Sequence, residues 1–191
     1  MWNGGDPARF DESRKGPGAI PASTLTPYLA SVFDLASVLA GISAAICHGT
    51  ILRVVVDTDV MLSAFISSQG ASRQLILDAL DGKFALLLST PLLVEYESVL
   101  RRPHHLSRVR ATEADVMEIL DALAGLRIPV VFDYQWRPTG AHADDELVVE
   151  TAVNGHADVL ATFNLKDMRE AGTTFGFNVQ RPGPLVRRIR T

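Results

Sequence analysis

The chain has 191 residues, of which 47% are hydrophobic and 21% are charged, and its formal net charge is −4. This composition is typical of a globular protein with one main domain, and the mild acidic balance excludes a surface that is basic overall, so a nucleic-acid-binding face must be local. The single cysteine, Cys47, excludes a disulfide framework or a cysteine-based zinc site within one chain and favours a cytoplasmic location.

The N-terminal 50 residues are predicted to differ from the rest of the chain. Residues 1–24 are rich in Gly, Pro, Ser and charge and have no periodicity, which predicts a disordered segment. Residues 25–50 are predicted to form an amphipathic helix and a linker, because large apolar residues recur at helical spacing. Asp34 interrupts the apolar run, which favours a surface helix over a signal peptide or a membrane anchor. An over-long gene model would also explain this segment.

Strands and helices alternate from residue 51 to residue 191, which we predict to be one domain. Strands are predicted at Val54–Val56, Phe84–Leu88, Ile128–Phe132, Val159–Thr162 and Asn178–Gln180. Helices are predicted after Asp57 and at Ala71–Leu80, Thr90–Leu100, Thr112–Leu126 and Asp144–Asn154, with Thr90 and Thr112 as N-caps. The remaining segments are predicted to be a cationic connector (Arg101–Arg110), a loop (Asp133–Ala143), an acidic turn through Asp167 and a basic tail. Strands separated by helices predict a parallel sheet in a three-layer α/β/α sandwich.

Four acids lie where these elements reach one edge of the predicted sheet. Asp57 ends the first strand, and Glu95 lies about one turn into the helix that follows the second. Asp145 opens the helix before the fourth strand, and Asp167 follows that strand. Because ligands bind outside the carboxyl ends of parallel strands, we expect the four carboxylates to converge there. Clustered carboxylates recruit a cation, and all-oxygen ligands suit Mg²⁺ or Mn²⁺ rather than zinc.

Each acid also has an ordinary structural interpretation. Asp57 and Asp145 precede helices and are suited to capping them, Glu95 has the character of a solvated helix-surface residue, and Asp167 that of a turn residue. A shared edge favours the metal site, because capping would not explain carboxylates from four separate elements.

The order of motifs resembles a PIN domain. It consists of VVVDTDV around Asp57, LLVEYESVL around Glu95, DDELVVETAVNGHADVLAT after Asp145, and NLKD ending at Asp167. The resemblance covers Leu52 to Arg188 and is strongest to the toxins of prokaryotic toxin–antitoxin modules. It implies a metal-dependent endoribonuclease that prefers single strands, with Asp57, Glu95 and Asp145 as catalytic acids and metal ligands. The same resemblance makes Asp167 a fourth ligand, bound directly or through water, and implies in-line attack of an activated water on an RNA phosphodiester.

Three positions depart from the family pattern. Asp59 stands where Asn is usual, Asn164 where an acid is frequent, and His142 where close relatives often have Asp. Asp59 and Asn164 are therefore predicted to support the site. Asp144 is predicted to support it from the start of its helix, and Ser63 either contacts phosphate or packs.

A basic stretch and the resemblance suggest partners. The stretch contains Arg101, Arg102, Arg108 and Arg110 with two histidines between them. Either it holds the phosphate backbone of RNA or it is a solvated loop. The resemblance implies an RNA substrate, an antitoxin protein and a homodimer, with no stable insertion into a membrane.

Two other functions compete with the nuclease. A haloacid-dehalogenase-like phosphatase also begins with a strand and an Asp-x-Asp motif, here Asp57-Thr58-Asp59. That class needs a lysine before a late acidic pair, and no lysine occurs between Lys83 and Lys166. A PIN-like module that has lost cleavage and binds RNA or a partner is the second alternative, and the departures at Asn164 and His142 favour it.

Overall fold

The structure is a computed structural model, and it describes residues 51–109, 112–134 and 145–191. The predicted disordered segment (1–24), the predicted amphipathic helix and linker (25–50) and most of the predicted loop before Asp145 lie outside the described residues. Three residues named in the sequence predictions also lie outside them: Arg110, His142 and Asp144.

The described residues form five strands and eight helices. The strands are β1 (Arg53–Val56), β2 (Ala85–Ser89), β3 (Ile128–Val130), β4 (Val159–Ala161) and β5 (Asn178–Gln180). The helices are α1 (Thr58–Ile66), α2 (Ala71–Leu80), α3 (Thr90–Leu100), α4 (Pro103–Val109), α5 (Glu113–Leu126), α6 (Glu146–Asn154), α7 (Leu165–Phe175) and α8 (Pro182–Ile189). None of these helices is long and apolar enough to cross a membrane.

All five strands are parallel and lie in the order β3-β2-β1-β4-β5. Val54, Val55 and Val56 of β1 are fully buried, although successive side chains point to opposite faces of the sheet. Helices must therefore cover both faces, as the predicted three-layer α/β/α sandwich requires. In the sheet, β2 and β3 lie on one side of β1, and β4 and β5 lie on its other side. The β1–β4 boundary is thus the switch point of the sheet, where ligands of open α/β sheets bind.

The five predicted strands are confirmed to within two residues, and so are four predicted helices, but one cap is wrong. The four helices are those predicted at Ala71–Leu80, Thr90–Leu100, Thr112–Leu126 and Asp144–Asn154. Thr112 caps α5, and Asp115 completes the capping box as predicted. Thr90 does not cap α3, because it is the first helical residue and the buried Ser89 accepts a hydrogen bond from the Leu92 N–H. Ser89 is also the last residue of β2, so the strand passes directly into the helix.

Three segments predicted to be irregular are helical. The cationic connector contains α4, the acidic turn through Asp167 is the first turn of α7, and the basic tail forms α8. Few of their residues are buried: α7 buries Met168, Ala171 and Gly172. Helices that bury so few side chains are polar overall, so their sequences have the composition of a loop or a tail.

Candidate active site

Asp57 lies at the switch point, directly after β1. Its backbone occupies the N-cap position of α1, but its side chain makes no capping hydrogen bond. The carboxylate is instead 5% exposed, and its Oδ2 atom accepts a hydrogen bond of 2.5 Å from the Thr162 hydroxyl. Thr162 follows β4, so this hydrogen bond joins the ends of the two neighbouring strands. The capping interpretation of Asp57 is therefore wrong for its side chain.

The environment of Asp57 opposes its negative charge. Burial is the largest effect and raises the pKa of this carboxyl to about 6, against the hydrogen bond from Thr162, which lowers it. Repulsion from Asp59 and Asp145 raises the pKa further. Among the described residues no lysine or arginine forms an ion pair with Asp57. Asp57 is thus a buried acid with anionic neighbours and no cation from its own chain in the described part.

Glu95 is joined to the same edge through Thr58. Glu95 is half-buried on α3, and its Oε1 atom accepts a hydrogen bond of 2.7 Å from the Thr58 hydroxyl. The next residue, Tyr96, is fully buried and donates its hydroxyl to the backbone oxygen of Val56, the last residue of β1. Burial and the charges of Asp57 and Glu95 raise the pKa of Tyr96 well above its usual value, so it remains a neutral donor. Two hydrogen bonds therefore fix α3 against the end of β1.

Asp145 reaches the site through Asn164. Asp145 is half-buried at the N-cap of α6, and its Oδ2 atom accepts a hydrogen bond of 3.1 Å from the Asn164 side-chain amide. The Asn164 backbone N–H donates to the Thr162 hydroxyl oxygen over 2.9 Å. Thr162 therefore links Asp57 to Asn164, and Asn164 links to Asp145. This chain of hydrogen bonds holds the two carboxylates on one edge.

A second contact fixes the two helices that carry Glu95 and Asp145. The hydroxyls of Ser89, before α3, and Thr151, in α6, lie 2.9 Å apart. Both residues are fully buried. Thr151 also donates to the backbone oxygen of Leu147 within its own helix. The contact between the buried hydroxyls fixes α3 and α6 relative to β2. It therefore also fixes the positions of Glu95 and Asp145, which these helices carry.

The other predicted site residues have different positions. Asp59 is exposed in the first turn of α1, Ser63 is half-buried further along it, and Asp167 is exposed in the first turn of α7. No hydrogen bond or ion pair joins these three residues to the acids of the described site. Asp59 still acts on Asp57 through charge repulsion. The role of Asp167 as a ligand therefore stays a prediction.

The predicted RNA-binding arginines are not equivalent. Arg101 is engaged, because it forms ion pairs with Glu97, at 2.6 Å, and with Glu113. Arg102 and Arg108 are exposed and form no ion pair within the described residues. In the described part of the basic stretch, these two side chains are better placed than Arg101 to meet a phosphate, and the contact itself stays a prediction.

The donor atoms fit a hard divalent cation in kind. Carboxylate oxygens surround the buried end of β1, and the repulsion between Asp57 and Asp145 is what a cation would relieve. In the described ranges, no group of three or more His, Cys, Asp or Glu side chains is arranged to hold a metal ion. Mg²⁺ does not need such a cage, since it keeps several waters and is bound through one or two carboxylates plus substrate phosphates.

Thr58, Thr162 and Tyr96 hydrogen-bond directly to the acids or to the end of β1, and none of the three was predicted to do so. Thr58 directly follows Asp57, and Thr162 ends the β4 segment, so a hydroxyl beside each strand end was a readable feature. Tyr96 gave no such feature, because a tyrosine on the apolar side of a helix has the same pattern as an ordinary core aromatic. Their roles depend on strand neighbours that are distant in sequence.

Replacing Thr162 by Val is expected to weaken divalent-metal binding at low pH. Loss of the hydroxyl removes a hydrogen bond that favours ionised Asp57, so the pKa of Asp57 rises above 6 and protons compete better with the metal. We expect Mn²⁺ affinity to fall about fivefold at pH 6 and to change little above pH 8, as a pKa increase of about one unit predicts. Calorimetric titrations at both pH values measure this, and Thr162→Ser, which keeps the hydroxyl, is the control. An equal loss at both pH values would contradict the protonation mechanism.

The family comparison agrees with this geometry. A family model described as PIN domain matches residues 53–166. That range begins at β1 and includes Asp57, Glu95, Asp145 and Asn164. Comparisons with curated proteins and with solved structures gave no match. The match covers more than half of the chain, and the chain therefore belongs to the PIN domain family, whose fold is of the nuclease type.

Proposed function

We propose that this chain is an endoribonuclease that uses Mg²⁺ or Mn²⁺ to hydrolyse RNA phosphodiester bonds. One observation carries the proposal. Asp57 is a buried carboxylate beside other carboxylates, and it has no lysine or arginine partner among the described residues. A cation that binds at the switch point would stabilise this site, because it would pair with a negative charge that burial has removed from water.

Asp57, Glu95 and Asp145 would hold the cation, with Asp167 assisting through water. When bound, the cation neutralises charge on the phosphodiester and lowers the pKa of water, which is the chemistry that hydrolysis needs. Oxygen ligands of this kind suit both Mg²⁺ and Mn²⁺.

The protein's own hydrogen bonds prepare the three acids. The Thr162 hydroxyl favours the ionised form of Asp57. The Thr58 hydroxyl occupies one oxygen of Glu95, and the Asn164 amide occupies one oxygen of Asp145. These hydrogen bonds hold the two carboxylates in fixed directions, which is the preorganisation that catalysis at a charged phosphate requires.

Metal removal and Asp145→Asn test the nuclease. The purified chain is expected to cleave single-stranded RNA with Mg²⁺ or Mn²⁺ and to lose cleavage in EDTA. Asp145→Asn should remove cleavage, because it takes away one of the three acids that would hold the cation, while the melting temperature remains within a few degrees of that of the wild-type protein. Gel analysis of RNA and thermal denaturation measure the two effects. Full activity of Asp145→Asn would sink the assignment of this residue.

A PIN-like binding module without cleavage is the second candidate. The hydrogen bond from Asn164 to Asp145 favours it, since a neutral amide occupies an oxygen that a metal could use. Calorimetry with Mn²⁺ separates the candidates, because a folded protein that binds no Mn²⁺ would be a binding module. The phosphatase alternative gains no support, because the family match is to the PIN domain.

We further propose that the nuclease is the toxin of a toxin–antitoxin module, acts in the cytoplasm, is a homodimer and is inhibited by an antitoxin protein. Membership of the PIN domain family supports this proposal. Induced expression in a bacterial host should then arrest growth, and the Asp145→Asn variant at an equal protein level should not. Equal growth arrest by both would show that toxicity does not arise from RNA cleavage.

A further inference from the structure

Phe163 is an exposed aromatic residue at the edge that carries the acids. It lies between β4 and α7, and it remains 43% exposed. Large exposed hydrophobic side chains are few in the described residues: Val94, Val131, Tyr134 and Phe163. The other exposed aromatic, Tyr134, is hydrogen-bonded through its backbone to Asn154, the last residue of α6. That end of the nine-residue helix is about 13 Å from Asp145, so of the two exposed aromatic residues in the described ranges Phe163 is the one beside the acids.

Both sequence neighbours of Phe163 are hydrogen-bonded into the site. Thr162 donates to Asp57, and Asn164 donates to Asp145. The Asn164 N–H also donates to the Thr162 hydroxyl, which closes a turn around Phe163. Since consecutive Cα atoms are about 3.8 Å apart, the Phe163 backbone is held within one residue of each side chain that orients a carboxylate. The backbone that carries the ring is therefore held at the acidic site.

An exposed aromatic ring beside the acidic site is suited to binding single-stranded RNA. A nucleotide presents a phosphate and, one sugar away, a flat base whose faces are free when the strand is unpaired. Proteins that bind unpaired RNA stack such bases on aromatic side chains, and every base has a face that can stack. A leucine or valine at this position would offer apolar area but no π-face.

We propose that Phe163 stacks on a base of single-stranded RNA beside the acidic site of Asp57, Glu95 and Asp145, and so positions the strand for cleavage at the neighbouring phosphate. This rests on the proposed nuclease function and adds a substrate-positioning residue to it. The stacked base confers a requirement for an unpaired nucleotide at one position but no base identity, because stacking tolerates every base.

Binding measurements on the full chain test the stacking. The probe is a short fluorescein-labelled single-stranded RNA, and its anisotropy is followed in EDTA and again in Ca²⁺. Phe163→Ala is expected to weaken binding about tenfold, within the range measured for loss of one stacked base, and Phe163→Leu should weaken it by a similar factor. Phe163→Trp should bind like the wild-type protein. Tyr134→Ala is the matched control for loss of an exposed aromatic, and its affinity should remain within twofold.

An RNA series with one abasic nucleotide at each position in turn supplies a readout that a purely structural role would not change. One abasic position should weaken binding to the wild-type protein about tenfold and should have no effect on Phe163→Ala, because the same contact is removed in both. Equal abasic effects in the two proteins, restored binding in Phe163→Leu, or no RNA binding by the wild-type chain in either buffer would each overturn the proposal. The last outcome would instead indicate a protein-binding surface.

The stacking and the nuclease can fail separately. A wild-type protein that shows the abasic coupling but cleaves no RNA with Mg²⁺ or Mn²⁺ would retain the stacking contact and lose the nuclease function. Cleavage that Phe163→Ala leaves unchanged in both KM and kcat would retain the nuclease and reject the stacking.

Discussion

Replacing Asp57 by Asn is expected to stabilise the metal-free protein and to abolish its activity. The pKa of this carboxyl is raised by burial from 3.8 to about 6 in the folded chain. An acid whose pKa is higher in the folded than in the unfolded state opposes folding at any pH where it is ionised. At pH 7 the penalty is about 3 kcal/mol, since one pKa unit corresponds to about 1.4 kcal/mol. The neutral amide of asparagine removes this penalty and can still accept the hydrogen bond from Thr162.

The difference in stability between Asp57→Asn and the wild-type protein is expected to depend on pH. The penalty is fully present above pH 6 and disappears as pH falls toward 3.8, because folding then takes up a proton. The Asn variant should therefore exceed wild-type stability by about 3 kcal/mol at pH 7, and the difference should vanish near pH 4. Urea denaturation in EDTA at a series of pH values measures it. Asp121→Asn, which changes an exposed acid of α5, is the control and should have little effect at either pH.

The same variant should lose about a thousandfold in RNA cleavage, because a metal centre supplies several kcal/mol of charge stabilisation and each 1.4 kcal/mol is a factor of ten. Added Mn²⁺ should raise the melting temperature of the wild-type protein but not that of the Asn variant. A variant that is less stable than wild type at pH 7 would contradict the description of Asp57 as a destabilising buried charge. Such an exchange of stability for function is expected at an active site.

The shared edge of Asp57, Glu95 and Asp145 could be predicted from the sequence because it follows from strand ends, while their role as metal ligands stays a prediction. A run of three buried valines fixed the end of β1, and the parallel sheet then placed Asp57 beside the element that follows β4. Asp145 and Glu95 followed from the same topology. The amide of Asn164 was predicted to support the site, but its specific partner, Asp145, lies 19 residues away and could not be inferred from spacing.

The C-terminal part of the fold was harder to predict, for a physical reason. The helix α8 buries Pro182 and Leu185, and its two arginines, with Arg190 after it, give this sequence the polar composition of a solvated tail. What holds it is a charge contact with α2, in which Arg190 reaches Asp78 across 112 residues of sequence. Arg190 and Asp78 are too far apart in sequence for their contact to be inferred from spacing, so the ion pair that anchors this segment could not be predicted.

Replacing Arg190 by Met is expected to destabilise the fold by about 3 kcal/mol, because it leaves a buried carboxylate with too few partners. Asp78 is fully buried and accepts two hydrogen bonds from Arg190, of 3.0 and 2.7 Å. Lys83 adds an ion pair of 2.8 Å, and Gln74 adds a weaker hydrogen bond. Without Arg190 the desolvated charge retains the single lysine. Arg188→Met, which removes an exposed arginine from the same helix, should change the free energy of unfolding by less than about 0.5 kcal/mol.

The pH profile of this second variant should be the opposite of that of Asp57→Asn. Burial alone would raise the pKa of Asp78, but the hydrogen bonds from Arg190 and Lys83 outweigh it and lower the pKa. A carboxyl with a lowered pKa stabilises the fold above its unfolded pKa, near 3.9, and loses that contribution as pH falls through its folded value. The deficit of Arg190→Met should therefore be constant from pH 5 to pH 8 and shrink in stronger acid, and adding Asp78→Asn should recover part of it. A deficit equal to that of Arg188→Met would show that the ion pair does not hold α8. Asp78 and Asp57 are both buried acids. Within the described residues Asp78 forms ion pairs with Lys83 and Arg190 whereas Asp57 forms none, and Asp57 is the one that lies at the switch point of the sheet.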